Sequence, residues 1–177
     1  MHSNKLKRLS TLMSVICTCL ILALPILTIW FWINFQSNAP LLNIAQQGVL
    51  QLETIEAWQI ICAGAYSVAT TLMVVYGLIQ LRQLFEHFRS DNFFTKASVR
   101  ALHGFCLALF VSAILKVLNT AVLSVLLTIN NGPNQKALII SLGSNEFWLL
   151  FIAATFLTIA WCFKEGLALA NENASFV

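Results

Sequence analysis

The chain has 177 residues, 59% of them hydrophobic and only 10% charged, with a mean hydropathy of +0.81. A soluble domain carries about 25% charged residues, so water is excluded as the solvent for most of this chain. The formal charge of +3 does not mark a nucleic-acid surface, because no basic cluster has the density or aromatic interleaving of one.

The first apolar stretch, Leu12–Ile33, follows Lys5, Lys7 and Arg8, which imitate the basic start of a secretory signal. Its apolar run is about 22 residues, against about 7–15 for such a signal. The small-residue site Ser37-Asn38-Ala39 is followed by Pro40, which blocks cleavage. The stretch is therefore expected to remain as a transmembrane helix. Cys17 and Cys19 lie within it, two apart and on different faces. They join Cys62, Cys106 and Cys162 as thiols inside expected spans, where free cysteine acts as a small hydrophobe.

Between Asn34 and Glu56, Pro40 is a natural first helical residue. After it, Leu41, Leu42, Ile44, Ala45, Val49 and Leu52 share one helical face, opposite Asn43, Gln46, Gln47 and Gln51. Two readings stand: a short amphipathic helix lying on the outer membrane surface, or a loop packed over the mouth of the bundle. Leu50 interrupts the face.

The second span, Ala57–Ile79, is expected to continue as helix through Leu81, Leu84, Phe85 and Phe88, with Arg82 and Arg89 at headgroup level. A break follows at Ser90-Asp91-Asn92. Thr95 then reads as an N-cap, and Phe94 before it is placed to pack on Val99 as a hydrophobic staple. Val99, Leu102 and Phe105 extend an apolar face while Lys96 and Arg100 stay wet. The pattern predicts an elbow, in which an interfacial helix turns into span three. Ala63-Gly64-Ala65 and Ala69 are small enough to allow close helix approach.

The third span, Phe105–Ile129, holds Lys116 near its middle. An ammonium at the bilayer centre costs about 2.5–3.5 kcal/mol, and such residues usually face a bundle interior or a water-filled cavity. Snorkelling is a poor escape, because each end of the stretch is roughly 18 Å of helix away and a lysine stem spans only about 6 Å. Ser112, Asn119 and Thr120 lie three or four residues from Lys116 and share its face. No Asp or Glu lies in the core of any span. Tyr66, Ser67, Thr70 and Thr71 of span two and Thr18 of span one are the intrachain candidates to solvate the ammonium. The functional readings are an anion or substrate contact, or an ion pair with an acidic residue in a partner's span. The alternative is a structural lysine solvated by hydroxyls and trapped water.

Asn130-Asn131-Gly132-Pro133-Asn134 is turn chemistry. The fourth span, Glu146–Phe163, is expected to run on as helix into the tail. Each of the four stretches approaches or exceeds the about 20 residues needed to cross a hydrocarbon core, which leaves too little chain for a separate soluble domain. Lys5, Lys7, Arg8, Arg82, Arg89, Lys96, Arg100 and Lys164 fall on one side of the spans and only Lys136 on the other. That bias places both termini and the central loop in the cytoplasm.

The segment Phe85–Leu102, with its aromatic pair Phe93-Phe94 and Thr95 opening a helix, resembles the central loop of a bacterial family of short four-span inner-membrane proteins. That family is known only as a domain of unknown function. The tail, with Gly166, Leu169, Glu172-Asn173 and Val177, is similar to the family's usual ending. Asp91-Asn92 departs from its usual glycine-acid turn, His103 from a common basic residue, and Ser175-Phe176 from an apolar-polar pair. The resemblance implies a four-span fold in a bacterial inner membrane. Such genes often neighbour helix-turn-helix regulators, which implies a regulatory or stress-linked role. No site residue carries over.

The residues lack a nucleophile elbow, a phosphate loop and paired catalytic carboxylates. His87 and His103, with Glu86 and Asp91, match no metal-ligand spacing. The sequence thus predicts an all-α membrane protein: four antiparallel transmembrane helices, short interfacial helices after span one and before span three, and both termini cytoplasmic. It is expected to need no cofactor, to have the bilayer as its medium, and to act non-enzymatically in regulation, sensing or protection through an integral-membrane partner or homo-oligomer. The alternative is a small transporter or channel-like protein with Lys116 facing an anion pathway.

Overall fold

The structure, a computed structural model, describes residues 2–42, 55–90, 95–132, 136, 138–140 and 143–175. Four long helices dominate it: α1 (His2–Ile33), α3 (Ala57–Arg89), α4 (Lys96–Thr128) and α5 (Ser144–Ser175). Between the first two, the described residues form a short helix, α2 (Phe35–Asn38), and a 3-10 turn, Ala39–Leu41. All four long helices are long and apolar enough to cross a membrane. At 33 residues each, α3 and α4 are about 50 Å long, well beyond a hydrocarbon core of about 30 Å, so their ends reach past it.

Local chemistry sets most helix ends where the sequence placed them. The second helix continues to Arg89 and stops at Ser90, whose hydroxyl donates back to the carbonyls of Glu86 and His87 at 3.3 and 3.0 Å. Thr95 caps α4: its hydroxyl oxygen accepts the Ser98 backbone N–H at 3.2 Å. Loss of such a cap costs about 1 kcal/mol, so Thr95→Ala is expected to fray the first turn of α4. Faster amide exchange at Ala97 and Ser98 is the measurement that checks it.

The two expected interfacial helices take other forms. Among the described residues no separate helix precedes span three: α4 runs uninterrupted from Lys96 to Thr128. Val99 is buried and Arg100 exposed, as the pattern required, but both belong to the spanning helix itself. Phe94, the proposed staple, lies outside the described residues. After span one, Pro40 opens only the 3-10 turn, and Leu42 is already extended at φ −75° and ψ 136°. Leu41 and Leu42, expected on one face, part company: Leu41 is 70% exposed, whereas Leu42 packs on the core. The rest of that expected face, from residue 43 to 54, lies outside the described residues.

The reason is tertiary. Phe35 stacks on Trp32 with ring centroids 5.3 Å apart and planes 3° apart, and the Asn38 amide donates to the Phe31 carbonyl at 3.3 Å. These contacts fold the chain back onto α1. There Trp32, Phe35 and Ala39 close over Ala63 of α3 and Leu123 and Leu127 of α4, forming the buried apolar cluster. Ala63 and Gly64 are buried, and a β-carbon on Gly64 would lie 3.4 Å from the Trp32 ring. Small residues there admit the indole.

Beside this cluster sits a polar latch. Glu56 and Gln59 form a reciprocal capping box at the start of α3. Gln59 is fully buried. Its Oε1 accepts the Glu56 N–H at 2.7 Å and the Asn130 amide at 3.3 Å, while its Nε2 donates to the Leu126 carbonyl at 2.7 Å. One side chain therefore ties the first turn of α3 to the last turn of α4, using a carbonyl that the helix end leaves without a helical donor. Nearby, Ser124 Oγ accepts the Ile139 N–H at 3.0 Å and pins the following loop to α4.

The long helices pack in chain order, α1 on α3, α3 on α4 and α4 on α5, and no comparable interface joins α1 to α5. At the α3–α4 crossing a β-carbon on Gly77 would come within 3.0 Å of the Ala108 methyl. The backbones meet there because Gly77 has no side chain.

Candidate functional site

Lys116 lies on α4 with Ser112 one turn before it and Asn119 one turn after. These three line a groove of about 320 Å³ together with Thr70, Thr71 and Val74 of α3 and Leu149 of α5. Lys116 is exposed rather than enclosed, so the ammonium sits on the flank of the unit and not inside a closed bundle. The packing order explains this. With α1 and α5 at the two ends of a series of contacts, α4 keeps one flank that none of the described helices covers.

The hydroxyls around the groove have committed their hydrogens. Ser112 donates to the Leu109 carbonyl, and Thr70 and Thr71 both donate to the Ser67 carbonyl, each at 2.9 Å. Back-bonding of this kind is the usual resting state of Ser and Thr in helices. It leaves oxygen lone pairs as the free groups. Thr71 also meets Thr28 of α1, hydroxyl to hydroxyl, at 3.2 Å. Asn119 is the exception, since its Oδ1 is buried without a hydrogen-bond partner. An unpaired buried oxygen costs about 1–3 kcal/mol.

The groove therefore offers one ammonium and several acceptor oxygens, while the Asn119 Oδ1 is buried away from its opening. Among the described residues no acid pairs with Lys116; Arg82 and Glu86, 2.9 Å apart, form an exposed ion pair within α3. What complements the Lys116 ammonium is a hydrogen-bond acceptor, and a carboxylate would also neutralise its charge.

The expected stripe is thus mostly assembled, with changes. Ser112, Lys116 and Asn119 come together with Thr70 and Thr71 as anticipated, but Thr120 does not line the groove, nor do Tyr66 and Thr18. Thr18 donates to the Ser14 carbonyl at 2.8 Å within α1, and Ser67 contributes its carbonyl as the acceptor for both threonines. Leu149 was not anticipated; nothing in its own sequence context marks it. The elbow residues Thr95, Val99 and Arg100 stand at the other end of α4, at least about 24 Å along the helix from Lys116. The five cysteines are all free, with Cys17 buried and Cys19 exposed, as two thiols on different faces should be. His87 Nδ1 contacts the Gln83 carbonyl of its own helix.

A family model described as "Protein of unknown function (DUF2975)" matches residues 50–177. The chain belongs to this family. Its match takes in α3, α4 and α5, hence every residue that lines the Lys116 groove, while α1 lies outside it. Among curated proteins and among solved structures no match to the chain is found. The DUF2975 chain is thus a helical, multi-span protein of an uncharacterised family, and its function has to be argued from its own groove.

Proposed function

We propose that this DUF2975 chain is a non-enzymatic protein of the bacterial inner membrane that acts in regulation, sensing or protection by docking a transmembrane segment at the Lys116 groove. The docked segment belongs to an integral-membrane partner or to a second copy of the chain, and presents a carboxyl or carboxamide group at mid-span. The observation that carries this reading is the exposed Lys116, which among the described residues has no acid paired with it. An ammonium in hydrocarbon without a partner is costly. A partner's acid removes that cost and contributes specificity.

The same proposal takes the helices as antiparallel, with both termini and the central loop cytoplasmic, on two supports. The Gln59 latch joins the start of α3 to the end of α4, and the eight basic residues outside the spans gather on one side of them against Lys136 on the other.

The test is a photo-crosslinking amino acid at Leu149, on the groove wall, in the full chain in its native membrane. We expect one dominant crosslinked product. Its yield should fall by about tenfold or more in Lys116→Leu, because an acid left unpaired at mid-span is expensive, and Lys116→Arg should restore it. An unchanged product in Lys116→Leu sinks the docking reading. A product that is only the chain itself, together with anion flux in liposomes that survives Lys116→Arg and fails in Lys116→Gln, replaces docking with transport.

A further inference from the structure

A second cleft lies far from Lys116, between the first turns of α4 and the last turns of α5, with a volume of about 390 Å³. Lys96, Arg100 and His103 line it from α4, and Lys164 lines it from α5. The first three recur at intervals of four and three residues, which is one face of a helix. Among the described residues no carboxylate lines this cleft; Glu165, next to Lys164 in the chain, is not among its walls. Such a site is built for an anion.

The cleft does not stop there. Val99 and Leu167 form its apolar floor, and the same two residues also line an adjoining groove of about 530 Å³. That groove runs back along α5 past Gly166, Phe163, Cys162, Ile159 and Thr158. Its walls are apolar apart from one hydroxyl, and residues 158 to 163 belong to the spanning part of α5. A basic mouth thus opens directly into an apolar channel at acyl depth. Gly166 lines the groove next to the shared Leu167, and a β-carbon there would find no atom within 4 Å.

We propose that this composite site holds one anionic phospholipid, its phosphate among Lys96, Arg100, His103 and Lys164 and one acyl chain along the groove beyond Val99 and Leu167. A soluble phosphorylated molecule would have no use for the groove, and a neutral lipid none for the cations. Only a ligand with both parts matches both walls. Basic pockets between spans at the cytoplasmic side are where anionic headgroups bind. This inference is independent of the Lys116 groove and survives its failure.

The test uses the purified full chain in mild detergent, titrated with a fluorescent phosphatidylglycerol. Unlabelled phosphatidylglycerol, phosphatidylcholine with the same acyl chains, and glycerol 3-phosphate serve as competitors. We expect phosphatidylglycerol to compete at least about tenfold better than phosphatidylcholine, and glycerol 3-phosphate to displace little. Arg100→Gln and Lys164→Gln should each weaken binding about fivefold, while Arg8→Gln, a charge elsewhere on the same side, should leave it unchanged. Gly166→Leu adds an isobutyl group to the groove wall at a position where a β-carbon has no atom within 4 Å, so it should fold normally by circular dichroism and weaken the lipid by a similar factor. Equal competition by the two lipids, equal loss in Arg8→Gln, or full binding in Gly166→Leu each overturns the proposal. Displacement by glycerol 3-phosphate as strong as by the lipid overturns it in favour of a soluble phosphate ligand.

Discussion

Gln59→Leu is expected to destabilise the folded protein by about 2–4 kcal/mol, through the unpaired groups it leaves behind rather than through lost volume. Gln59 is fully buried and makes three hydrogen bonds at 2.7, 2.7 and 3.3 Å. Leucine removes all three and strands the Leu126 carbonyl and the Glu56 N–H, each stranded group costing about 1–3 kcal/mol. Part of this is recovered because the latch lies at a helix end, within reach of headgroup water. The measurement is unfolding of the purified protein in mixed micelles of rising denaturing-detergent fraction. Trp58→Phe is the companion variant: it deletes only the exposed indole bond to Glu56 Oε2 at 2.8 Å and should cost well under about 1 kcal/mol. Equal stability of Gln59→Leu and the parent would show that the latch contributes nothing to holding α3 on α4.

Gly77→Leu should be nearly as damaging, by the opposite mechanism. A β-carbon at this position already lies 3.0 Å from the Ala108 methyl, so an isobutyl group fits only if α3 and α4 move apart. Overpacking of this kind costs about 1–3 kcal/mol, and in a bilayer close packing is a main source of helix association. The same movement should open the Lys116 groove, whose walls are Thr70, Thr71 and Val74 on α3 and Ser112, Lys116 and Asn119 on α4. Crosslinking from Leu149 is therefore expected to fall although no groove residue is changed. Gly77→Ala needs only a few tenths of an ångström at Ala108, and the gain in helix propensity, about 0.8–1 kcal/mol, offsets that strain. Its stability should be close to the parent's. Adding Ala108→Gly to Gly77→Leu should recover part of the loss, and no recovery would place the damage elsewhere.

Much of the fold is local and was legible. Four apolar stretches of membrane-crossing length, the halt at Ser90 and the cap at Thr95 each depend on residues within a turn or two of themselves. Residues 57 and 89 bound α3 as expected, and α5 runs on through the tail. The segment after Pro40 stood open between a helix and a packed loop, and its described start, Leu41 and Leu42, follows the Phe35–Trp32 stack and the Asn38 bond to Phe31, contacts that no apolar pattern announces. Gln59 went unread for a related reason. Its box with Glu56 is written locally, but its bonds to Leu126 and Asn130 join residues 67 and 71 positions away.

The candidate site divides the same way. Lys116, its depth in the span and the absence of any acid at that depth follow from the order of residues alone, because hydropathy and charge add up along the chain without knowledge of neighbours. Which side chains stand around the ammonium does not follow. The spans are apolar nearly all round, so no polar face announces where one helix meets the next, and association is decided by close packing. The contact of Gly77 with Ala108 and the row-like order of the helices put Thr70, Thr71 and Leu149 beside Lys116, left Thr120 out, and kept the ammonium on an open flank. Sequence determined that a charge is buried in the membrane; tertiary packing, which depends on the shapes of side chains far apart in the chain, decided what that charge faces.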